Sequence, residues 1–235
     1  MNQLMKQEPQ QLVPSYMAGQ GQRGLELASQ DDITYPRLAL AQANSPSIKK
    51  SSDKRIEGLE EGFLYDTLTG EIYGDTIEIV PIRFFKSYIR FRPESEGGGV
   101  MKMAANADNI APVDLEFGPN GEKPVWTEFR NFLSYIPATG RLAVVSMKST
   151  QTKVAKQWVS LMRFAGVPAY GKSYELSTVS ESNQNYDYFN FNIKPLGFVD
   201  EVLYHKLDVL YGQLTGKDVK FDTADIDDDA KTVAF

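Results

Sequence analysis

The stretch TIEIVPIRFFKSYIRFRP, residues 76–93, constrains the fold more than any other. It is β-branched, aromatic and alternating, which is the pattern of a strand and not of a helix. Two shorter runs of the same character follow. VWTEFRNFLSYI (125–136) and RLAVVSMK (141–148) are separated by the turn PATG. STQTKVAKQWVSLMRFAG then reads as a helix, with Ser149 as N-cap and Gly166 past its end. Val154, Ala155, Trp158, Leu161, Met162 and Ala165 share its apolar face, so Trp158 is expected in the core. KSYELSTVS and YDYFNFNIKPLGFV supply a fourth and a fifth strand. DEVLYHKLDVLYGQLTG is a closing helix, capped by Asp200 and stopped at Gly216.

Three strands, a helix and two strands is the order of the OB-fold, a five-stranded barrel with a helix between strands three and four. The expected fold class is mainly β with helices: an OB-fold-like barrel plus a C-terminal helix. Residues 1–30, rich in Gln and weakly periodic, read as a flexible arm. Residues 31–216 read as the barrel domain, with a long glycine-rich loop near 94–124, and 217–235 as an acidic tail. A tight hairpin is expected around Leu68-Thr69-Gly70.

The residue inventory removes whole classes of chemistry. The 235 residues include no cysteine, so disulfides, zinc–thiolate sites and iron–sulfur clusters are excluded. One histidine, His205, lies in an amphipathic helix with no triad pattern around it. Gly19, Gly21 and Gly24 match G-x-G-x-x-G, but no strand precedes them and no helix follows, as a dinucleotide site requires. No catalytic constellation, metal or cofactor is expected. Neither a signal peptide nor a membrane span is apparent, so the reading is a soluble cytoplasmic protein without a membrane partner.

Net charge is −6, yet the charge is polarised. Between Glu128 and Glu175 lie 46 residues without a carboxylate, carrying Arg130, Arg141, Lys148, Lys153, Lys156, Arg163 and Lys172. Residues 79–92 hold Arg83, Lys86, Arg90 and Arg92 and again no acid. Alternation along the first long strand puts Phe84, Lys86, Tyr88, Arg90 and Arg92 on one face. Aromatics interleaved with cations suit single-stranded nucleic acid, whose bases stack and whose phosphates need neutralising. Trp126, Arg130 and Phe132 extend this candidate DNA-binding set, as do Arg83, Lys148, Tyr186 and Tyr188. The competing reading of these strand faces is ordinary solvated or half-covered surface.

The end of the chain, DIDDDAKTVAF, sets Asp225, Asp227, Asp228 and Asp229 behind a terminal Phe235. It resembles the tails of bacterial and phage single-stranded DNA-binding proteins, which end in aspartates followed by an aromatic residue. Here five residues separate the last aspartate from Phe235. YPRLALAQANSP, GFLYDTLTGEIYGDTIEIVPIRFFKSYIRF and SMKSTQTKVAKQW look like a group of phage-encoded DNA-binding proteins. The resemblance implies a non-catalytic single-stranded DNA-binding protein of phage replication or recombination. Its barrel would coat DNA, and its tail would recruit replication or recombination proteins through Asp225, Asp227, Asp228, Asp229 and Phe235. The alternative is a protein-interaction module without DNA binding, either a phage scaffold or a DNA-mimicking inhibitor of a host factor. Leu203, Leu207, Leu210 and Leu214 form a helical stripe that suits docking on the barrel or pairing in a homodimer.

Overall fold

A computed structural model describes residues 24–29, 32–96, 98–120, 122–182, 187–223 and 226, with the side chain of Glu94 excepted. The chain divides into two units, Met1–Ile33 and Thr34–Phe235. In the first, the Ser29 N–H and hydroxyl both donate to Asp32 Oδ2, at 2.8 and 2.9 Å. Gly19 and Gly21 lie outside the described residues. Among the described residues no helix is long and apolar enough to cross a membrane.

The second unit is mainly β with two helices. A small antiparallel sheet joins β1 (Leu38–Leu40), β2 (Leu64–Asp66) and β3 (Ile72–Gly74). The expected hairpin closes it: Asp66 Oδ1 accepts from the Leu68 and Thr69 N–H groups, and Gly70 takes φ +74. The larger sheet contains β4 (Thr76–Phe91), β5 (Val100–Ala104), β6 (Thr127–Ile136), β7 (Arg141–Met147), β8 (Lys172–Ser182) and β9 (Asp187–Phe198). Helix α1 (Thr152–Phe164) lies between β7 and β8, and α2 (Glu201–Leu214) follows β9. The helix therefore separates three long strands from two, as the sequence pattern predicts, with β5 as an added strand.

Long β4 is the spine. Its first residues pair with β8, residues 80–89 pair with β6, and its last residues pair with β5. The order is β7-β6-β4-β8-β9, with β5 attached to β4. A bulge falls between Pro81 and Arg83, where proline lacks an N–H for the ladder.

No ladder joins β7 to β9 among the described residues, and β1 fills that place instead. The Val144 N–H donates to Pro36 O at 2.9 Å on one side. On the other, the Gln42 amide donates to Phe189 O at 2.7 Å and accepts from Phe189 N–H at 2.9 Å. One side chain thus reproduces a ladder pair. Gly62 allows the same approach, because a Cβ there would stand 2.6 Å from the Phe189 ring.

Both faces of the sheet are buried at β6 and β7, which explains their nearly continuous apolar runs. In β6, Phe132 enters one core and Leu133 the other; in β7, Val145 and Val144 divide likewise. The first core is centred on Trp158 of α1, fully buried as expected, with its ring 4.1 Å from that of Phe132. The second lies under α2, where Leu207 and Leu214 are buried and Leu203 and Leu210 pack against them. The leucine stripe therefore docks on the protein's own sheet, one of the two uses expected for it. Asp200 caps α2 as expected, accepting from Leu203 N–H at 2.8 Å. Ser149 does not cap α1. It takes φ +47 and opens a 3-10 turn, Ser149–Gln151, that leads into the helix.

The packed body also continues past Gly216. Tyr35 N–H donates to Lys220 O and Asp222 N–H to Tyr35 O, both at 2.9 Å, and Phe221 and Ile226 are buried in the second core. The segment read as an acidic tail from 217 is anchored at 220–222 and at 226. Asp225, Asp227, Asp228, Asp229 and Phe235 lie outside the described residues.

Two substitutions test this account of the packing. Trp158→Ala should cost about 3–5 kcal/mol in a urea melt, through lost burial and the cavity left behind. Gln42→Ala strands two backbone groups of β9 and should cost about 1–3 kcal/mol by the same measurement.

Candidate nucleic-acid interface

The connector between β4 and β6 shapes the candidate site. Its glycine run predicts a mobile loop, but the chain turns at Gly98 and Gly99, both at positive φ, and returns along β4 as β5. The 3-10 turn Pro112–Leu115 follows, and Ile110 joins Tyr88 and Trp126 in a small buried cluster. The connector is held over the end of the sheet in this way, and Asp114 O accepts from Trp126 N–H at 2.9 Å.

Between the connector and the ends of β4 and β6 runs a groove of about 760 Å³. Arg90, Arg92, Lys123, Arg130 and Lys148 bring cations to its lining, and Phe91, Phe117 and Trp126 bring aromatic rings. Arg90, Arg92 and Lys123 are exposed, and Phe117 is 58% exposed. Neither Arg90 nor Arg92 joins an ion pair among the described residues. Glu128 is a lining carboxylate. Cations along a cleft concentrate field, and an exposed ring beside them offers a stacking platform.

The charge pattern has a register cause. Lys86 stands directly opposite Arg130 in the β4–β6 ladder, and Tyr88 opposite Glu128. Like charges facing each other across strands repel. Glu128 relieves this by binding both: Arg130 Nη2 at 2.5 Å and Lys86 Nζ at 3.1 Å. The Tyr88 hydroxyl donates to the same carboxylate at 3.3 Å. Burial of Tyr88 and then the Glu128 charge raise the phenol pKa, so the phenol keeps its proton. Arg130 also donates to Thr152 Oγ1 at 3.1 Å, which ties the groove floor to the start of α1.

Lys148 directly follows β7 and is 8% exposed. Its ammonium lies 5.3 Å from the centre of the Phe129 ring and 5.6 Å from that of Phe91, and donates to Ile226 O at 3.1 Å. On its other side is a small cavity of about 50 Å³ that reaches Arg37, Gln42 and Tyr188. Lys148 and Ser149 line both spaces.

Of the residues predicted from sequence, the structure gathers Arg90, Arg92, Trp126, Arg130 and Lys148 around one groove, with Lys86 and Tyr88 reaching it through Glu128. Others are placed elsewhere. Phe132 is fully buried against Trp158, because period-two alternation turns it into the first core; it presents no face to a base. Phe84 is 37% exposed and leans on Phe132 at 5.2 Å, away from the groove lining. Arg83 donates to Leu214 O and Lys217 O, where it satisfies the end of α2. Tyr88 and Trp126 are largely buried at 6% and 8% exposure, so little of either ring is offered for stacking. Tyr188 donates to Glu181 Oε2 at 2.9 Å and faces the small cavity. Tyr186 lies outside the described residues.

Phe117 and Lys123 were not foreseen. Both lie in the connector, where glycines and the lack of periodicity hide any contribution to a site. The one local signal is Lys123 placed three residues before Trp126 at the start of a strand.

The model of the Pam3 phage gp34-like protein family matches residues 6–220. Neither a curated protein nor a solved structure matches the chain. With nearly the whole chain matched, including the spine strand, the connector and both helices, this protein belongs to the Pam3 phage gp34-like family, a bacteriophage family.

Proposed function

We propose that this phage protein binds single-stranded DNA in the β4–β6 groove, as a non-catalytic component of phage replication or recombination. The observation that carries the reading is the joint lining of one open groove by five cations and by aromatic rings, in a chain whose net charge is −6. Arg90, Arg92 and Lys123 would follow the phosphates, and Phe117 would take a base on its exposed face. Trp126 contributes the edge of a wall braced by the Ile110 cluster. The groove lies at the end of the sheet and not on an outer strand face, since α2 covers the face that an OB-fold usually leaves open.

The acidic end is the proposed recruiting element for replication or recombination proteins. Aspartates suit a basic ridge on a partner, and a terminal aromatic with its own carboxylate suits a pocket beside a cation. Because Ile226 is part of the core, a truncation that keeps the described body removes 227–235.

Fluorescence anisotropy with a dT oligomer tests the groove. Binding should weaken steeply with salt, by about 0.7 in the log–log slope for each phosphate neutralised. Arg90→Ala with Arg92→Ala should lower that slope by about 1.4. Phe117→Ala should cost roughly 1–3 kcal/mol, the value of one stacked base, with the slope unchanged. Deleting 227–235 should leave affinity the same or higher while abolishing retention of partner proteins. No oligomer binding at low salt would remove this reading and favour the interaction module.

A further inference from the structure

The Glu128 carboxylate is an odd component of a groove whose other charged lining residues are cations. It takes Lys86 and Arg130 at once, and Tyr88 adds a third donor. Its side chain stays 27% exposed, and that of Lys86 is 43% exposed, so both are within reach of a ligand. We propose that Glu128 sets the specificity of the groove, as a built-in competitor that holds Lys86 and Arg130 until the phosphates of a polymeric strand displace it. This rests on the reading of the groove as a polyanion site.

The geometry gives the competition a direction. An isolated anion reaching Arg130 must break an existing ion pair to make one, which nearly cancels the gain. A strand is first held by Arg90, Arg92 and Lys123, which Glu128 does not engage. Its next phosphate then meets Arg130 at high local concentration, where exchange with the carboxylate costs little. The groove should therefore prefer a chain of phosphates to free nucleotides or inorganic polyphosphates. The structural role of Glu128, relief of the Lys86–Arg130 repulsion, needs only its charge in the ligand-free protein. The competitor role also predicts changes in ligand binding.

Glu128→Gln keeps the shape and removes the charge. On the dT oligomer it should raise affinity at least about threefold, in line with the release of one or two exposed ion pairs. It should also steepen the log–log salt dependence by about 0.7 for each cation freed. Inorganic pyrophosphate should displace the oligomer from Glu128→Gln at a lower concentration than from the wild type. Lys86→Met should change little in the wild-type background but should take away part of the gain in Glu128→Gln. A guanidinium melt of each variant separates binding effects from loss of fold. Unchanged affinity and slope in a folded Glu128→Gln protein would leave Glu128 only its structural role and overturn the proposal. Lower affinity would also overturn it, by making the carboxylate a direct acceptor for the ligand. If the wild type itself fails to bind the oligomer, the groove reading fails first.

Discussion

The pairing of one sixteen-residue strand with three partners is what the rest of the structure depends on. β4 meets β8 at its start, β6 along its middle and β5 at its end. Each meeting fixes a register, and register decides which side chains are core and which are surface. The β4–β6 register sets Phe84 against Phe132, Lys86 against Arg130 and Tyr88 against Glu128. Along this one face the character changes from apolar packing under α1 to a cluster of charge at the sheet's end. The groove exists because β4 and β6 run on past the Trp158 core and the connector folds back over them.

Closure of the sheet is a separate matter. The strand order leaves β7 and β9 as the two ends, and the residues flanking β1 reach both, Pro36 through a backbone bond to β7 and Gln42 through its amide to β9. The second layer, made by α2 and residues 220–226, then covers the outer face. This arrangement leaves the open end of the sheet as the place where the cations and the exposed Phe117 ring meet.

Much of the architecture was legible from local chemistry. The strands were readable because β-branched and aromatic residues cluster in runs bounded by PATG, glycine and proline. The helices were readable because Trp158 and Leu207 sit in stripes of helical period, with Asp200 and Gly216 marking limits of the second. The site was only partly legible. Alternation put Lys86 and Arg90 on one face of β4, and the β4–β6 register then sets Arg130 opposite Lys86, but alternation cannot tell a buried face from an exposed one. Phe132 has the same period as Arg130 and lies under α1, while Arg83 turns to the end of α2. The connector was the larger loss. Phe117 and Lys123 reach the groove through the β5 pairing and the buried Ile110 cluster, long-range contacts with no periodic trace in a glycine-rich segment. Gln42 was equally invisible, since only the fold brings it to Phe189.

Photocrosslinking with a 5-iodouracil-substituted single strand, followed by peptide mapping, addresses the central claim most directly. The predicted crosslinks fall on the groove, with Phe117 foremost and neighbouring peptides from 90–92 and 123–130 protected from proteolysis. Crosslinks confined to α2 or to the β8–β9 hairpin would contradict the assignment of the groove as the nucleic-acid interface.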